Sequence, residues 1–192
     1  MPYVAPIDEK LLVADLHNPK KAADAFDALI RKYGEQIYWQ IRKMVVSHDD
    51  ANDLLQNCFI KAWNNLHNFR GDAKLSTWLY KIAVNESINF LNKERLRENH
   101  SVKAGDEEDD SYLLQNIESD EYFDGDELQV TLQRAIATLP EKQRLVFNMR
   151  YFDEMKYEEM SEILGTSVGA LKASYHHAVK KIEAAIRDAE IL

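Results

Sequence analysis

Apolar residues recur three and four apart along most of the chain, the period of an amphipathic helix. Phe26, Leu29, Ile30, Tyr33, Ile37, Ile41, Met44 and Val45 predict a helix over residues 20–46. Ser47-His48-Asp49-Asp50 then supplies a stop and an N-cap for a second helix, about 50–66, with Leu55, Phe59, Ala62 and Leu66 as its apolar stripe. Asn68-Phe69-Arg70-Gly71-Asp72 breaks the pattern, and Ser76 or Thr77 can cap a third helix running to about residue 97. Periodicity resumes near residue 127. Pro140 stands at a first helical position for a helix over about 140–152, and a short helix follows over about 156–164. Gly165 sits where a left-handed residue closes a helix, and Thr166 or Ser167 can cap a last helix over about 168–188.

Composition agrees with an all-α fold. Of 192 residues only six are Gly and four Pro, too few turns for a sandwich or barrel, while 45% hydrophobic and 30% charged residues suit a globular chain. No apolar run approaches the roughly 20 residues that span a bilayer, and the first ten residues lack the charged-then-apolar order of a signal peptide. A single cysteine, Cys58, allows neither an internal disulfide nor a cysteine-based zinc site. The expectation is a cytoplasmic protein without membrane insertion, cofactor or metal.

The net charge of −9 argues at first against nucleic acid. Its distribution changes the picture. Residues 103–127 hold eleven acids against the single base Lys103, so this belt carries −10 and the rest of the chain +1. Salt screens charges beyond about 10 Å, so a near-neutral body can still present basic faces. The belt predicts a mostly disordered linker, with a short amphipathic turn around Tyr112–Ile117 as the alternative. The resulting organisation is an N-terminal leader (1–19), a helical domain (20–100), a flexible acidic linker (101–127) and a helix–turn–helix domain (128–192).

Three surfaces carry candidate chemistry. In the C-terminal domain, Tyr157 through Leu171 has the order helix, glycine turn, helix, which lets one helix brace another across DNA. Leu171, Tyr175, Ala178 and Ile182 face a core, whereas Lys172, His176 and Lys180 face outward, flanked by His177 and Lys181. Lysine and histidine can reach phosphates or base edges, and the small Gly169, Ala170 and Ala173 permit close approach to a duplex. In the N-terminal domain, the third helix bears a stripe of Trp78, Lys81, Asn85 and Asn89 just after Phe69-Arg70-Gly71-Asp72-Ala73-Lys74-Leu75-Ser76. Rings stack on unpaired bases, amides read their edges and cations hold phosphates. The second helix presents Asp50, Asp53, Asn57, Lys61 and Asn64, with Gln56 at the border, an acidic-amide face suited to a basic protein partner. For each surface the plainer alternative is a solvated face over a core, with Phe69 and Trp78 as core residues. Enzyme signatures are missing: there is no P-loop, GxGxxG or HExxH, and no serine or cysteine nucleophile stands beside a histidine base.

Taken in order, these segments resemble a bacterial sigma factor of the extracytoplasmic-function type, in the sigma-70 family. Asp50 through Trp63 is similar to the family's polymerase-binding helix, Phe69-Arg70-Gly71 through Asn85 to its promoter-melting element, and Leu139-Pro140 with Tyr157 through Ile182 to its promoter-binding helix–turn–helix. The resemblance implies a region-2-like domain, then the acidic linker, then a region-4-like domain, and no catalytic residue. It implies that Asp50, Asp53, Gln56 and Asn57 dock on the clamp coiled coil of the largest subunit of core RNA polymerase, while the flap of the second subunit holds the other domain. Phe69, Arg70, Lys74, Ser76, Trp78, Lys81, Asn85 and Asn89 would meet the minus-ten element, Phe69 and Asn85 helping to hold a flipped base. Arg150, Lys172, Ala173, His176, His177 and Lys180 would meet the minus-thirty-five element. The linker would run toward the RNA exit path. An anti-sigma factor is a further partner the resemblance allows.

Some positions depart from the family pattern. Asn57 stands where an acid is common, Ser174 and His177 where arginines are, and Ala170 and Ala173 where hydroxyl residues are. These imply a weaker polymerase contact at Asn57 and a different minus-thirty-five preference. The rivals are an autonomous helix–turn–helix regulator, which leaves the Asp53–Trp63 helix unexplained, and a helical adaptor that binds only protein.

Overall fold

The computed structural model describes residues 9–101, 111–119 and 127–189. The first eight residues of the leader and the acidic run Asp106–Asp110 lie outside them. Among the described residues the chain is helical, with no strand: α1 (Glu9–Leu16), α2 (Ala22–Val45), α3 (His48–Asn64), a 3-10 turn (Leu66–Asn68), α4 (Leu75–Ser101), α5 (Ser111–Ser119), α6 (Glu127–Ala137), α7 (Glu141–Tyr151), α8 (Tyr157–Leu164) and α9 (Val168–Asp188).

Helices α1 to α4 pack as one lobe. The apolar stripe of α2 is buried as the spacing predicts, except that Ile30 stays at the surface. α2 ends at Val46, whose φ of 66° puts a β-branched residue in the left-handed region; Ser47 follows, its hydroxyl accepting from the Asp50 N–H at 3.2 Å to start α3. On α3 the buried side chains are Ala51, Leu54, Cys58, Phe59 and Ala62. The core-facing stripe is therefore centred on Leu54 and Cys58 rather than on Leu55, because α2 and α4 both pack on this helix and close over that side.

The start of α4 differs from the sequence expectation. The Lys74 carbonyl accepts from Trp78 N–H at 3.1 Å, so the helix begins at Leu75, ahead of where a Ser76 or Thr77 cap would start it. The Leu75 N–H is satisfied instead by the Glu9 carboxylate of α1, at 2.6 Å. The segment expected as a leader thus contributes a packed helix, with Leu12 and Leu16 in the core.

Residues 111–119 of the acidic belt are helical, which corrects the expectation of disorder there and agrees with the alternative of an amphipathic turn around Tyr112–Ile117. Leu113 and Ile117, one turn apart, are fully buried, and Tyr112 packs edge-on to Phe90 with ring centroids 5.7 Å apart. Burial of these apolar side chains, each worth roughly 1.5–3 kcal/mol, outweighs the acidic composition around them.

Helices α6 to α9 form the second lobe. A satellite cluster of Ala135, Ile136, Leu139, Phe147, Ala178 and Ile182 holds α6, α7 and α9 together. The main core is continuous across the two lobes, running from Leu29 and Ile41 to Met149, Met160 and Leu171. Polar contacts line the seam. Asp153, between α7 and α8, takes Lys43 Nζ on one carboxylate oxygen and the Tyr80 hydroxyl on the other. Asn148 Nδ2 donates to the Lys43 carbonyl at 3.0 Å, and Lys74 pairs with Glu159 at 3.2 Å. No helix among the described residues is long and apolar enough to cross a membrane.

Candidate nucleic-acid interface

The helix–turn–helix follows from three local features. Gly165 ends α8 with φ 62° and ψ 28°, its N–H donating to the Ser161 carbonyl at 2.9 Å. The Ser167 hydroxyl starts α9 by accepting from Ala170 N–H at 3.3 Å. The faces of α9 then separate as the spacing predicts: Leu171, Ala178 and Ile182 are buried, Tyr175 is half-buried, and Lys172, Ala173, His176, His177 and Lys180 are exposed. Arg150 and Lys172 both lie over the Tyr157 ring, 5.4 and 5.6 Å from its centroid. The Arg150 guanidinium also donates to the Glu154 and Met155 carbonyls at 3.3 and 3.2 Å, which holds it beside the outer face of the motif. This arrangement gathers cations from two helices around one aromatic ring, a charge pattern suited to phosphate contacts.

On α4, Lys81, Asn85 and Asn89 are all exposed along one stripe. Trp78 is half-buried and Phe69 is 5% exposed, their ring centroids 4.9 Å apart at 39°. Phe69 thus belongs to the core and also to the wall of an open cavity of about 520 Å³, which Trp78, Arg70, His67 and Asp72 help to line. Arg70 is exposed at its edge, Lys74 is exposed further along the loop, and Ser76 is half-buried. The middle of the stripe faces the other lobe. Lys81 and Asn85 line a second cavity, about 350 Å³, across from Glu141, Lys142 and Ser174.

Two residues that shape this loop carry no signal in the sequence pattern. Glu9 caps α4 from 66 residues away, and the His17 ring has Nε2 2.8 Å from the Phe69 carbonyl oxygen and Nδ1 2.9 Å from that of Val13.

On α3, Asp53, Gln56 and Asn57 are exposed, and Ile60 and Trp63 continue the same face at 58% and 44% exposure. Those two apolar residues were missed because the spacing assigns them to no stripe. Asp50 is half-buried, accepting a hydrogen bond from the Tyr112 hydroxyl of α5. That bond, together with burial, raises the tyrosine's pKa well above its ordinary value, burial being the larger cause. Cys58 lies on the buried side of this helix, and burial pushes its thiol up to about 12. Among the described residues no three His, Cys, Asp or Glu side chains group as metal ligands.

The fold defines an all-helical protein with a C-terminal helix–turn–helix, the class of fold that carries DNA-binding regulators. Comparison with known proteins makes this definite. Residues 29–97 match the model of sigma-70 region 2, and residues 129–182 that of sigma-70 region 4. The RNA polymerase sigma-H factor of Pseudomonas aeruginosa is 35% identical over 167 residues, covering 85% of this chain and 86% of the relative. The ECF RNA polymerase sigma factor SigW of Bacillus subtilis is 32% identical, with 86% and 90% covered. The ECF sigma-E factor of Escherichia coli is 31% identical, with 83% and 85% covered. Two solved structures share the fold at 20% identity: the sigma factor RpoE of Bartonella quintana in complex with the anti-sigma factor NepR (TM-score 0.63; 84% and 96% covered) and CnrH in complex with the cytosolic domain of CnrY (TM-score 0.64; 94% and 97% covered).

The chain belongs to the sigma-70 family, in its extracytoplasmic-function group. Its function is that of an alternative sigma factor, which binds core RNA polymerase, directs it to particular promoters and promotes DNA melting.

Proposed function

We propose that this sigma factor divides its work among the three surfaces. Asp50, Asp53, Gln56 and Asn57 on α3 dock on the clamp coiled coil of the largest polymerase subunit, with Ile60 and Trp63 adding apolar contact. Phe69, Arg70, Lys74, Ser76, Trp78, Lys81, Asn85 and Asn89 hold the minus-ten element. Arg150, Lys172, Ala173, His176, His177 and Lys180 meet the minus-thirty-five element in the major groove while the flap of the second subunit carries that lobe. The divisions are a leader at 1–19, region 2 at 20–100, a linker at 101–127 and region 4 at 128–192. The linker runs toward the RNA exit path. The chain is not an enzyme, works in the cytoplasm, and takes an anti-sigma factor as a further partner. It uses no cofactor.

The observation that carries this division is the exposed face of α9, where two lysines, two histidines and an alanine stand together over a buried apolar stripe behind a glycine turn. Binding energy rather than nucleotide hydrolysis opens the duplex. Flipping a base costs a few kcal/mol, stacking returns roughly 1–3 kcal/mol per base, and each bidentate contact discriminates by about 1–3 kcal/mol.

With a whole-chain charge of −9, the free protein binds promoters weakly and core polymerase supplies the affinity. Gel shifts with and without core test this. A specific shift only in the presence of core is expected; tight, specific binding by the isolated chain would identify an autonomous regulator instead.

A further inference from the structure

We propose that Glu9 and His17, outside both segments that match the family models, are positioning residues for promoter opening: they fix the two ends of the Phe69–Ser76 loop. The inference rests on the reading of that loop as the element that holds minus-ten bases.

At the loop's far end, α4 needs an acceptor for its first N–H. Lys74 provides the first helical carbonyl, but its side chain is a cation and cannot accept. The Glu9 carboxylate accepts from Leu75 N–H at 2.6 Å, and a negative charge suits the positive end of the helix. At the near end, His17 Nε2 is 2.8 Å from the Phe69 carbonyl oxygen, so the tautomer with hydrogen on Nε2 donates to it. Between these anchors Val13 comes close to the chain: its Cγ1 is 3.9 Å from where a Cβ on Gly71 would stand, and Gly71 holds φ 79°.

The five residues Arg70–Lys74 that bridge the anchors are all exposed and lack helical structure. Their path is constrained by the anchored ends, by Val13 beside Gly71 and by the exposed Lys74–Glu159 pair at 3.2 Å. The open cavity beside Trp78 is lined by four of these residues' neighbours and members, Phe69, Arg70, Asp72 and Ala73, so its form depends on the same anchors. Without Glu9 the first turn of α4 loosens, and Ser76 and Trp78 shift with it. Catalysis of opening needs bases held in a fixed geometry, and small displacements of a holding group have large kinetic effects.

The test uses the full chain with core polymerase and a promoter selected from a randomised library, carrying a fluorescent purine in the minus-ten element. Core affinity is measured separately by titration. For Glu9→Ala we expect the rate of opening to fall about tenfold at saturating holoenzyme, with core affinity within about twofold of wild type. Glu9→Gln, which keeps an amide oxygen as acceptor, should recover most of the loss. His17→Ala should slow opening in the same direction.

Amide exchange at Leu75 gives a second readout that needs no polymerase: it should accelerate in Glu9→Ala and recover in Glu9→Gln. Wild-type opening by all three variants, or a parallel loss of core affinity and thermal stability, would overturn the proposal. If the wild-type protein opens no promoter, the assignment of the loop fails, while amide exchange still reports on the anchors.

Discussion

Lys43 and Asp153 form an ion pair across the two lobes, and the Tyr80 hydroxyl donates to the second oxygen of the same carboxylate. All three groups are largely shielded: the Lys43 and Asp153 side chains are 24% and 16% exposed, and Tyr80 is 2% exposed. Asp153→Ala leaves a lysine and a tyrosine hydroxyl without their partner at the seam, at a cost of roughly 1.5–3 kcal/mol for a charged hydrogen-bonded group. The lobes should separate more readily, seen as a larger radius of gyration by small-angle scattering of the free protein. An unchanged radius would show that the continuous apolar core and the remaining polar contacts, Asn148–Lys43 and Lys74–Glu159, hold them without Asp153.

Gly165 sits at φ 62° with open space where a Cβ would go. Gly165→Ala therefore meets no clash and suffers only the left-handed backbone, about 1 kcal/mol. Thermal denaturation should show a modest loss of stability with the fold retained. A loss of several kcal/mol would mean that the turn has a packing role the geometry does not reveal.

The Cys58 thiol is raised from 9.0 to about 12 by burial, with Glu86 adding to the rise and Lys61 opposing it. The folded state therefore holds this proton more tightly than the unfolded chain. The associated stability is fully present below pH 9 and is lost as pH rises toward 12. Chemical denaturation across that window should show stability falling with pH, with a shallower slope in Cys58→Ala. Near neutral pH the native thiol should resist disulfide reagents until the protein unfolds.

These features were legible in the sequence to different degrees. The α2 stripe apart from Ile30, the α9 faces, the Gly165 turn and the Ser167 cap follow from spacing and local chemistry, and the structure agrees; α3 starts at His48 behind a Ser47 cap, slightly before the start the spacing gives. On α3 and the turn after it, Phe59, Ala62 and Leu66 are buried as the spacing predicts, but Leu54 rather than the adjacent Leu55 takes the deeper place, which only packing by α2 and α4 decides. Helix α5 matches the alternative of an amphipathic turn around Tyr112–Ile117; eleven acids around a few apolar residues favour disorder instead, since composition says nothing of the core that Leu113 and Ile117 enter. The candidate site divides the same way. The exposed residues of α4 and α9 emerge from periodicity, but Glu9 and His17 act across 66 and 52 residues of chain, and no local pattern encodes such contacts.

Asn85 is exposed on α4, so Asn85→Ala should leave the fold intact. The rate of open-complex formation should fall about tenfold or more if one base contact is lost, with core binding unchanged. Equal losses in both would make Asn85 structural.

Lys172 is exposed on α9 and lies over Tyr157. Lys172→Glu should change stability by no more than about 0.5 kcal/mol and abolish protection upstream in footprints of the holoenzyme. Unaltered protection would favour a protein-only role for this face.

Run-off transcription by core polymerase on a randomised promoter library, with and without the folded chain, tests the central claim most directly. The account predicts a defined set of start sites that appears only when the chain is added, each preceded by two sequence elements. If folded chain and core together initiate no better on any template than core by itself, the account is contradicted.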